Sequence, residues 1–216
     1  MVITIDGPSG SGKGTTARGL AKKLEMTHVD SGSLYRAIAW YLDDRSIAPD
    51  STQITEPFLE QIDISYSEDN TILINGVDRE EQIRSRENSI HAFTYSRNQI
   101  IRKYVTRLQR MLLVNGGVLD GRDAGSVVMP DADLKIYLDC NVDIRTYRRA
   151  KQHKITEPLE IAKIKGEILA RDEADRNKGE ASLRVLSDAI VVDTSDLSVQ
   201  EQIDTIYRLA QEKLQT

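Results

Sequence analysis

The chain has 216 residues, of which 29 are Lys or Arg and 34 are Asp or Glu, so its formal net charge at pH 7 is −5. This acidic total disfavours a nucleic-acid partner, and the single cysteine, Cys140, excludes an internal disulfide and a zinc ligand set. No leader peptide is visible and no apolar run approaches the ~20 residues that span a bilayer, so we expect a cytoplasmic protein without a membrane partner.

Strands and helices alternate at the start of the chain. Residues 2–5, VITI, form a run rich in β-branched residues, which is typical of a buried parallel strand. Apolar residues then recur at helical spacing over residues 14–24. A second strand is predicted at residues 27–29 and a second helix from about Ser33, with Ser31 or Ser33 itself as its N-cap.

The pattern changes in the second quarter of the chain. Residues 62–66 and 71–74 alternate between apolar and polar side chains, and a turn-forming sequence at residues 68–70 separates them, so we expect a β-hairpin. Because this hairpin interrupts a strand–helix alternation, residues from about 55–85 are interpreted as an inserted lobe. A long helical pattern follows at residues 86–113.

The second half of the chain returns to strand–helix alternation. Strands are predicted at residues 118–119, 134–138 and 189–192, and helices at residues 143–153, 159–176 and 199–214. Five strand candidates alternating with helices predict a three-layer α/β/α fold with a five-stranded parallel sheet, formed by residues 1–216 as a single domain.

A glycine-rich stretch, GPSGSGKGT, directly follows the first strand. Gly7, Gly12 and Lys13 have the spacing of a phosphate-binding loop, in which backbone N–H groups and a helix N-terminus point at phosphate oxygens. A Gly/Ser surface loop that happens to carry a lysine is the alternative, which the flanking strand and helix disfavour. We therefore predict that the phosphates of a nucleotide bind to Gly7, Pro8, Ser9, Gly10, Ser11, Gly12, Lys13, Gly14 and Thr15.

The residue after the lysine departs from the common form of this loop. Ser or Thr usually stands there and holds magnesium, whereas here Gly14 comes before Thr15. The G-K-G-T variant resembles that of the nucleoside monophosphate kinases, in which the loop wraps a nucleoside triphosphate and the acceptor is another nucleotide. Transfer between two anions requires a second set of cations, preferably arginines.

Candidates for this second site, which include two arginines, follow two of the predicted strands. Ser31, Tyr35 and Arg36 come after the second strand, and Gly121-Arg122-Asp123 follows the strand at residues 118–119. The carboxyl ends of strands in open α/β sheets are where ligands bind, so the acceptor site is predicted there.

Four blocks of sequence carry a closer resemblance. IDGPSGSGKGT, DSGSLYRA, LDGRDAGSVVMPDADLKIYLD and RDEADRNK, in this order and spacing, resemble the bacterial cytidylate (CMP) kinases nearly from end to end, whereas adenylate kinases share only the first block. The resemblance implies a P-loop fold in which residues from about 55–85 form the monophosphate-binding lobe and residues from about 145–160 form a short lid. It also implies transfer from ATP to CMP and dCMP by a monomer, in pyrimidine metabolism.

The resemblance assigns residues to both substrates. Those that match monophosphate-binding positions are Ser31, Tyr35, Arg36, Arg102, Gly121, Arg122, Asp123, Arg171, Asp175 and Lys178. Arg145 and Arg149 match basic positions of the lid. Lys13, Arg122, Arg145, Arg149 and Arg171 would surround the γ-phosphate during transfer, where positioning and charge neutralisation supply most of the catalysis. Mg²⁺ would accompany ATP, held largely through water by Thr15 and Asp120, with Asp139 competing on position alone.

Each assignment has a structural alternative. Arg36 and Arg102 lie on predicted helices, where an isolated arginine is usually solvated. The basic segment around Arg149 would be an exposed face or a weak nucleic-acid patch, although its short length and the acidic total favour the lid. Asp172 and Asp175 would simply pair with Arg171 and Arg176 along the helix.

Two departures from the family pattern bear on the choice of substrate. The pattern R-D-x-x-D-x-x-R ends at Lys178, so that contact loses the planar fork of an arginine. A serine that reads the pyrimidine is expected about nine residues before Arg102, but Phe93 stands there, with Thr94 or Ser96 as the substitute. A kinase for another small acceptor such as UMP, and a nucleotide-binding module without transfer activity, stay as alternatives.

Overall fold

The computed structural model describes residues 1–67 and 71–215. It contains two compact units, one formed by Met1–Val29 with Leu113–Thr216 and the other by Asp30–Leu112. The turn predicted at residues 68–70 lies outside the described residues. Among the described residues, no helix is long and apolar enough to cross a membrane.

A five-stranded sheet has the order β2-β6-β1-β7-β8. β1 pairs in parallel with β6 and β7, and β7 pairs in parallel with β8. The bounds of these strands are β1 Val2–Asp6, β2 His28–Asp30, β6 Gly117–Gly121, β7 Leu134–Asp139 and β8 Ile190–Asp193. The predicted strands are all present, with ends that differ by one or two residues, and the prediction of a three-layer α/β fold around a five-stranded parallel sheet is confirmed.

The first unit buries its apolar residues between this sheet and two helices. Its helices are α1 Lys13–Leu24, α7 Val142–Gln152, α8 Pro158–Arg176 and α9 Val199–Leu214. Ile5 of β1, Leu20 of α1 and Ile206 of α9 are fully buried in one cluster, where each contributes about 2 kcal/mol. Side chains alternate along a strand, so Asp6 does not follow Ile5 into this cluster and ends β1 as a buried carboxyl.

The second unit combines helices with a small antiparallel sheet. Its helices are α2 Ser31–Asp43, α3 Glu56–Leu59, α4 Glu80–Ile83, α5 Arg86–Tyr95 and α6 Gln99–Leu112, and its strands are β3 Ile64–Tyr66, β4 Ile72–Ile74 and β5 Val77–Asp78. β3 and β4 pair antiparallel at the position of the predicted hairpin, with Ile64 opposite Ile74. The roles predicted for residues 55–85 as a lobe and 145–160 as a lid stay predictions.

The N-cap of α2 differs from the sequence-based expectation. The helix begins at Ser31, and its N-cap is Asp30 rather than Ser31 or Ser33. The carboxylate of Asp30 accepts the backbone N–H of Ser33 at 2.9 Å, which satisfies one of the free donors at the helix start. The prediction of a serine cap was therefore wrong by one residue.

The helical pattern at residues 86–113 is divided into two helices, α5 and α6. α5 ends at Tyr95, and the side chain of Asn98 accepts the N–H of Ile100 at 2.8 Å, which starts a new helix. The Nδ2 of Asn98 also donates to the carbonyl of Pro49 at 2.9 Å. This capping side chain favours a break over a continuous helix.

Candidate active site

The loop between β1 and α1 has the backbone geometry that a phosphate-binding loop requires. Gly12, the N-cap of α1, has a φ of 97°, in the left-handed region that favours glycine. Gly7 is needed for a different reason, because a Cβ there would lie 2.2 Å from the carbonyl oxygen of Leu138. The loop therefore passes close over the end of β7, and the N-terminus of α1 supplies the partial positive charge that an anion needs.

Lys13 is buried against this loop, and its Nζ donates to the carbonyl of Pro8 at 2.8 Å. Burial lowers the pKa of Lys13 well below its ordinary value, and the charge of Arg122 lowers it further, whereas Asp120 and Asp6 oppose the change. A phosphate beside Nζ would stabilise the charged ammonium. The position thus suits a lysine that binds a polyanion.

Both peptide groups around Ser9 are held by a buried ion pair. The N–H of Ser9 donates to Asp172 Oδ1 at 2.9 Å, and its carbonyl accepts from Arg145 Nη1 at 2.9 Å. Arg145 and Asp172 pair at 2.6 Å and are only 5% and 2% exposed. Arg145 also donates to the carbonyl of Cys140 at 3.0 Å. Arg145 therefore anchors the phosphate loop, and its contact with a triphosphate stays a prediction.

Two further side chains brace the same loop. Thr16, in the first turn of α1, donates its hydroxyl to Gln202 Oε1 at 2.8 Å. The hydroxyl of Thr194, which follows β8, lies 3.1 Å from the carbonyl of Ser11. Ser11, Thr16, Thr194 and Gln202 are all buried. The loop and the first turn of α1 are therefore held by α9 and by the end of β8, in addition to the ion pair between α7 and α8.

Asp120 is one of two oxygen-bearing residues near the start of α1 that fit a magnesium ion. Its Oδ1 lies 2.8 Å from His28 Nε2, and its Oδ2 lies 3.7 Å from the point where a Cβ of Gly14 would be. Thr15 is exposed in the same first turn. The described residues contain no group of three or more His, Cys, Asp or Glu that could hold a metal by themselves. One carboxylate and one hydroxyl suit Mg²⁺, which takes its other ligands from phosphates and water.

The two candidate magnesium carboxylates have different surroundings. Asp139 is exposed, and its Oδ1 accepts the N–H of Cys140 at 2.9 Å. Asp120 is buried and directs one oxygen at the first turn of α1. The geometry therefore favours Asp120.

Asp6, at the end of β1, accepts two backbone N–H groups, from Ala124 at 2.9 Å and from Gly125 at 2.8 Å. Burial raises the pKa of Asp6 to about 6, although the two amides and Lys13 act in the opposite direction. Asp6 therefore fixes the turn that follows Asp123 and carries a carboxyl that changes charge close to neutral pH.

Three of the predicted acceptor cations converge on Asp175, a fully buried carboxylate on α8. Its distances are 2.7 Å to Arg122 Nε, 3.4 Å to Arg171 Nε and 3.1 Å to Lys178 Nζ. Burial alone would raise the pKa of Asp175, but the charges of Arg122, Arg171 and Lys178 lower it to about 2. The carboxylate is therefore ionised at neutral pH, and three cations around one anion leave a net positive charge that suits a phosphate dianion.

In the second unit, Arg36 lies across the first turn of α2. Its Nη2 donates to Asp30 Oδ2 at 3.1 Å and to Ser33 Oγ at 2.6 Å. Arg84 donates to the same two oxygens at 3.4 and 3.3 Å. Burial alone would raise the pKa of Asp30, but the charge of Arg36, the hydrogen bonds from Ser33 and the charge of Arg84 hold it well below its ordinary value.

Helices α2 and α6 bring the remaining predicted residues of this unit together. The guanidinium of Arg102 lies 5.9 Å from the ring centre of Tyr35, and its Nη1 donates to the carbonyl of Ser96 at 3.4 Å. Ser31 Oγ accepts from Nε2 of Gln109, a fully buried side chain, at 3.1 Å.

A family model described as cytidylate kinase matches residues 3–212, almost the whole chain. The chain belongs to the cytidylate kinase family. It is 37% identical to the cytidylate kinase of Thermotoga sp. (strain RQ2) over 99% of this chain and 98% of that protein. It is also 37% identical to the cytidylate kinase of Dichelobacter nodosus, over 96% of both chains.

Solved structures resemble the fold at low sequence identity. A crystal structure from Thermus thermophilus has a TM-score of 0.55 and 17% identity, covering 99% of this chain and 97% of that one. A structure of an uncharacterized protein from Eubacterium ventriosum has a TM-score of 0.52 and 13% identity, covering 98% of both chains. These likenesses support the fold alone.

Phe93, which stands where the resemblance predicts a pyrimidine-reading serine, is partly buried. The exposed Thr94 directs its hydroxyl at its own helix, to the carbonyl of Ile90 at 3.5 Å. Ser96 is buried beside Arg102 and donates its hydroxyl to the carbonyl of Phe93 at 2.8 Å. Of the two predicted substitutes, Ser96 is thus the one in contact with another predicted substrate residue.

Three further residues that were predicted to bind substrate are described here by their position and burial. Gly121 and Asp123 are buried on either side of Arg122, where β6 ends. Arg149 lies one turn beyond Arg145 on α7 and is partly buried.

The sequence analysis assigned no functional role to several residues of these clusters, namely Asp6, His28, Asp30, Arg84, Asp172 and Gln202. Asp6 had a usable signal, since it ends a strand and precedes a glycine in the same way as Asp120. The contacts of Asp172 and Gln202 with the loop join residues more than 160 positions apart, and no local pattern indicates them.

Proposed function

We propose that this chain transfers the γ-phosphate of ATP to CMP, and to dCMP, in pyrimidine nucleotide metabolism. Membership of the cytidylate kinase family supports the reaction. The observation that carries the assignment is that β1 and β6 are parallel neighbours with Asp6 opposite Gly121, so the phosphate loop after β1 and Arg122 after β6 leave the sheet at adjacent positions. The phosphate loop and Arg122 therefore lie near each other, as transfer between two phosphates requires.

The donor half of the proposal concerns ATP. Its phosphates bind to the loop from Gly7 to Thr15, where Lys13 neutralises the β- and γ-phosphates, and the lid residues Arg145 and Arg149 complete the set of cations. Thr15 and Asp120 would hold Mg²⁺, largely through water, and the ion would supply charge neutralisation for the triphosphate.

The acceptor half concerns CMP, bound by Ser31, Tyr35, Arg36, Arg102, Gly121, Arg122, Asp123, Arg171, Asp175 and Lys178. An oxygen of the CMP phosphate attacks the γ-phosphorus, and ADP leaves with the electron pair of the broken bond. No general base is required, because the acceptor phosphate is already ionised near neutral pH. Closure of the lid at residues 145–160 and of the lobe at residues 55–85 excludes water, which would otherwise accept the phosphoryl group.

The proposal includes a monomer that works in the cytoplasm. Sedimentation velocity tests the monomer. The cytoplasmic location rests on the single cysteine, Cys140, which is free and buried.

A panel of acceptors tests the reaction and its specificity together. ADP formation from Mg²⁺ and ATP is measured with CMP, dCMP, UMP and AMP. We expect turnover with CMP and dCMP well above that with UMP and AMP. Preferred turnover with another acceptor would change the substrate, and binding of ATP and CMP without ADP formation would indicate a non-catalytic module.

Lys13→Ala tests the role of the loop in the same assay. Loss of the cation at the transferred group is expected to lower kcat by about 100-fold or more, while CMP binding changes little. Lys22→Ala, which alters an exposed lysine of the same helix, is the matched control and should behave as the unmodified enzyme. A kcat for Lys13→Ala close to that of the control would remove the loop from the mechanism.

A further inference from the structure

Arg84 shares its hydrogen-bond acceptors with Arg36, a predicted substrate-binding residue. Arg84 itself was not predicted to bind substrate. It follows α4, whereas Arg36 lies on α2, yet the Nη2 atoms of both approach Asp30 Oδ2 and Ser33 Oγ within 3.4 Å. Two guanidinium groups that converge on one carboxylate repel each other. Glu80 pairs with Nε of Arg84 on the other side and orients it.

The cluster also has a donor without an acceptor. Nε of Arg36 is buried, and it has no hydrogen-bond partner among the described residues. A buried N–H of a charged group that lacks a partner is costly and rare in folded proteins. This N–H is therefore a donor in the cluster that a ligand with several oxygens would satisfy.

The backbone beneath the cluster favours the same kind of ligand. A Cβ at Gly32 would lie 2.9 Å from Arg36 Nη1, so the glycine allows the arginine to fold over the first turn of α2. That turn is the N-terminus of a 13-residue helix and carries a partial positive charge. Two guanidinium groups beside a helix N-terminus match the donors that a phosphate monoester needs.

We infer that Arg84 is a further substrate-binding residue, which together with Arg36 binds the phosphate of the acceptor nucleotide. The Asp30 carboxylate is an acceptor that both guanidinium groups share, and the phosphate would compete with it. A phosphate monoester carries a charge of about −1.5 to −2 at pH 7, so it neutralises both guanidinium groups where one carboxylate does not. The identity of the nucleotide rests on the proposed function.

The test compares ligands with and without the phosphate. Binding of CMP and of cytidine is measured for the unmodified enzyme, Arg84→Gln and Arg84→Lys, with Arg86→Gln as the control for an exposed arginine two positions away. Arg84→Gln should weaken CMP binding by about 10- to 100-fold and leave cytidine binding unchanged, because only hydrogen bonds to a charged group are lost. Arg84→Lys should fall between, since it keeps the charge without the planar fork. Arg86→Gln should change neither ligand.

Two results would overturn the inference. Equal losses of CMP and cytidine affinity in Arg84→Gln would give Arg84 a structural role, and unchanged CMP affinity would give it no role in phosphate binding. Titration with inorganic phosphate separates this inference from the proposed function. If the acceptor panel rules out CMP, weaker phosphate binding by Arg84→Gln than by Arg86→Gln still supports the anion site, and equal binding overturns it.

Discussion

Single aspartates that are buried or partly buried hold several of the predicted phosphate-binding arginines in place. Asp30, Asp172 and Asp175 each contact at least one arginine within 3.1 Å. An arginine oriented in advance by a carboxylate loses less side-chain entropy when it binds a phosphate. The carboxylates therefore orient the arginines for an anionic ligand. Their negative charge also lowers the positive electrostatic potential at the site.

Asp6 gives a pH dependence that can be measured. Its pKa rises from 3.8 to about 6 on folding, so the folded chain binds this proton more tightly than the unfolded chain. The resulting stabilisation is complete below about pH 4 and is lost as the pH rises through 6, which lowers the free energy of unfolding by about 3 kcal/mol. Urea unfolding across this range should show the loss in the unmodified protein and not in Asp6→Asn.

The control for this experiment is the exposed Asp44, since Asp44→Asn removes a carboxylate that is half accessible to solvent. Its free energy of unfolding should change with pH in the same way as that of the unmodified protein. Curves for Asp6→Asn that run parallel to both would show that Asp6 does not titrate in this range.

At the scale of elements, the phosphate loop depends on α7 and α8 as much as on β1 and α1. Asp172→Asn keeps one acceptor for Ser9 but leaves the buried guanidinium of Arg145 without its charged partner. We expect the KM for ATP to rise about tenfold while the KM for CMP changes little, and the free energy of unfolding to fall by about 3 kcal/mol. Steady-state kinetics with each nucleotide varied in turn measures the difference.

Glu173→Gln, at an exposed position next to Asp172, is the matched control and should leave both KM values unchanged. An unchanged KM for ATP in Asp172→Asn would mean that the loop keeps its geometry without this ion pair. It would also favour the interpretation of Arg145 as a lid residue alone.

At the scale of the whole molecule, stability depends on the core between the sheet and the helices α1 and α9. Ile206 is fully buried there, so Ile206→Ala should lower the free energy of unfolding by about 2–5 kcal/mol. Val199→Ala, on the same helix but 46% exposed, should change it by no more than about 0.5 kcal/mol. Denaturant unfolding of both variants checks the prediction, and equal effects would place Ile206 outside the core.

Most of the secondary structure could be predicted because it follows from local patterns. The five strands of the main sheet and the helices α1, α8 and α9 lie within one or two residues of the segments expected from periodicity and turn residues. The exceptions arise where a polar side chain caps the backbone, as Asp30 does for α2 and Asn98 for α6. Capping depends on which side chain reaches a free N–H, and periodicity contains no information on this.

The sequence by itself determined the phosphate loop, since its glycines, its lysine and the flanking strand and helix are all local, and the order of its motifs indicated the family. Only the tertiary structure decided which side chains meet. It joins Arg84 to Asp30 across 54 positions and Asp172 to Ser9 across 163. The physical reason is that local patterns report which face of a strand or helix is apolar, whereas ion pairs between distant segments exist only after the apolar faces have packed.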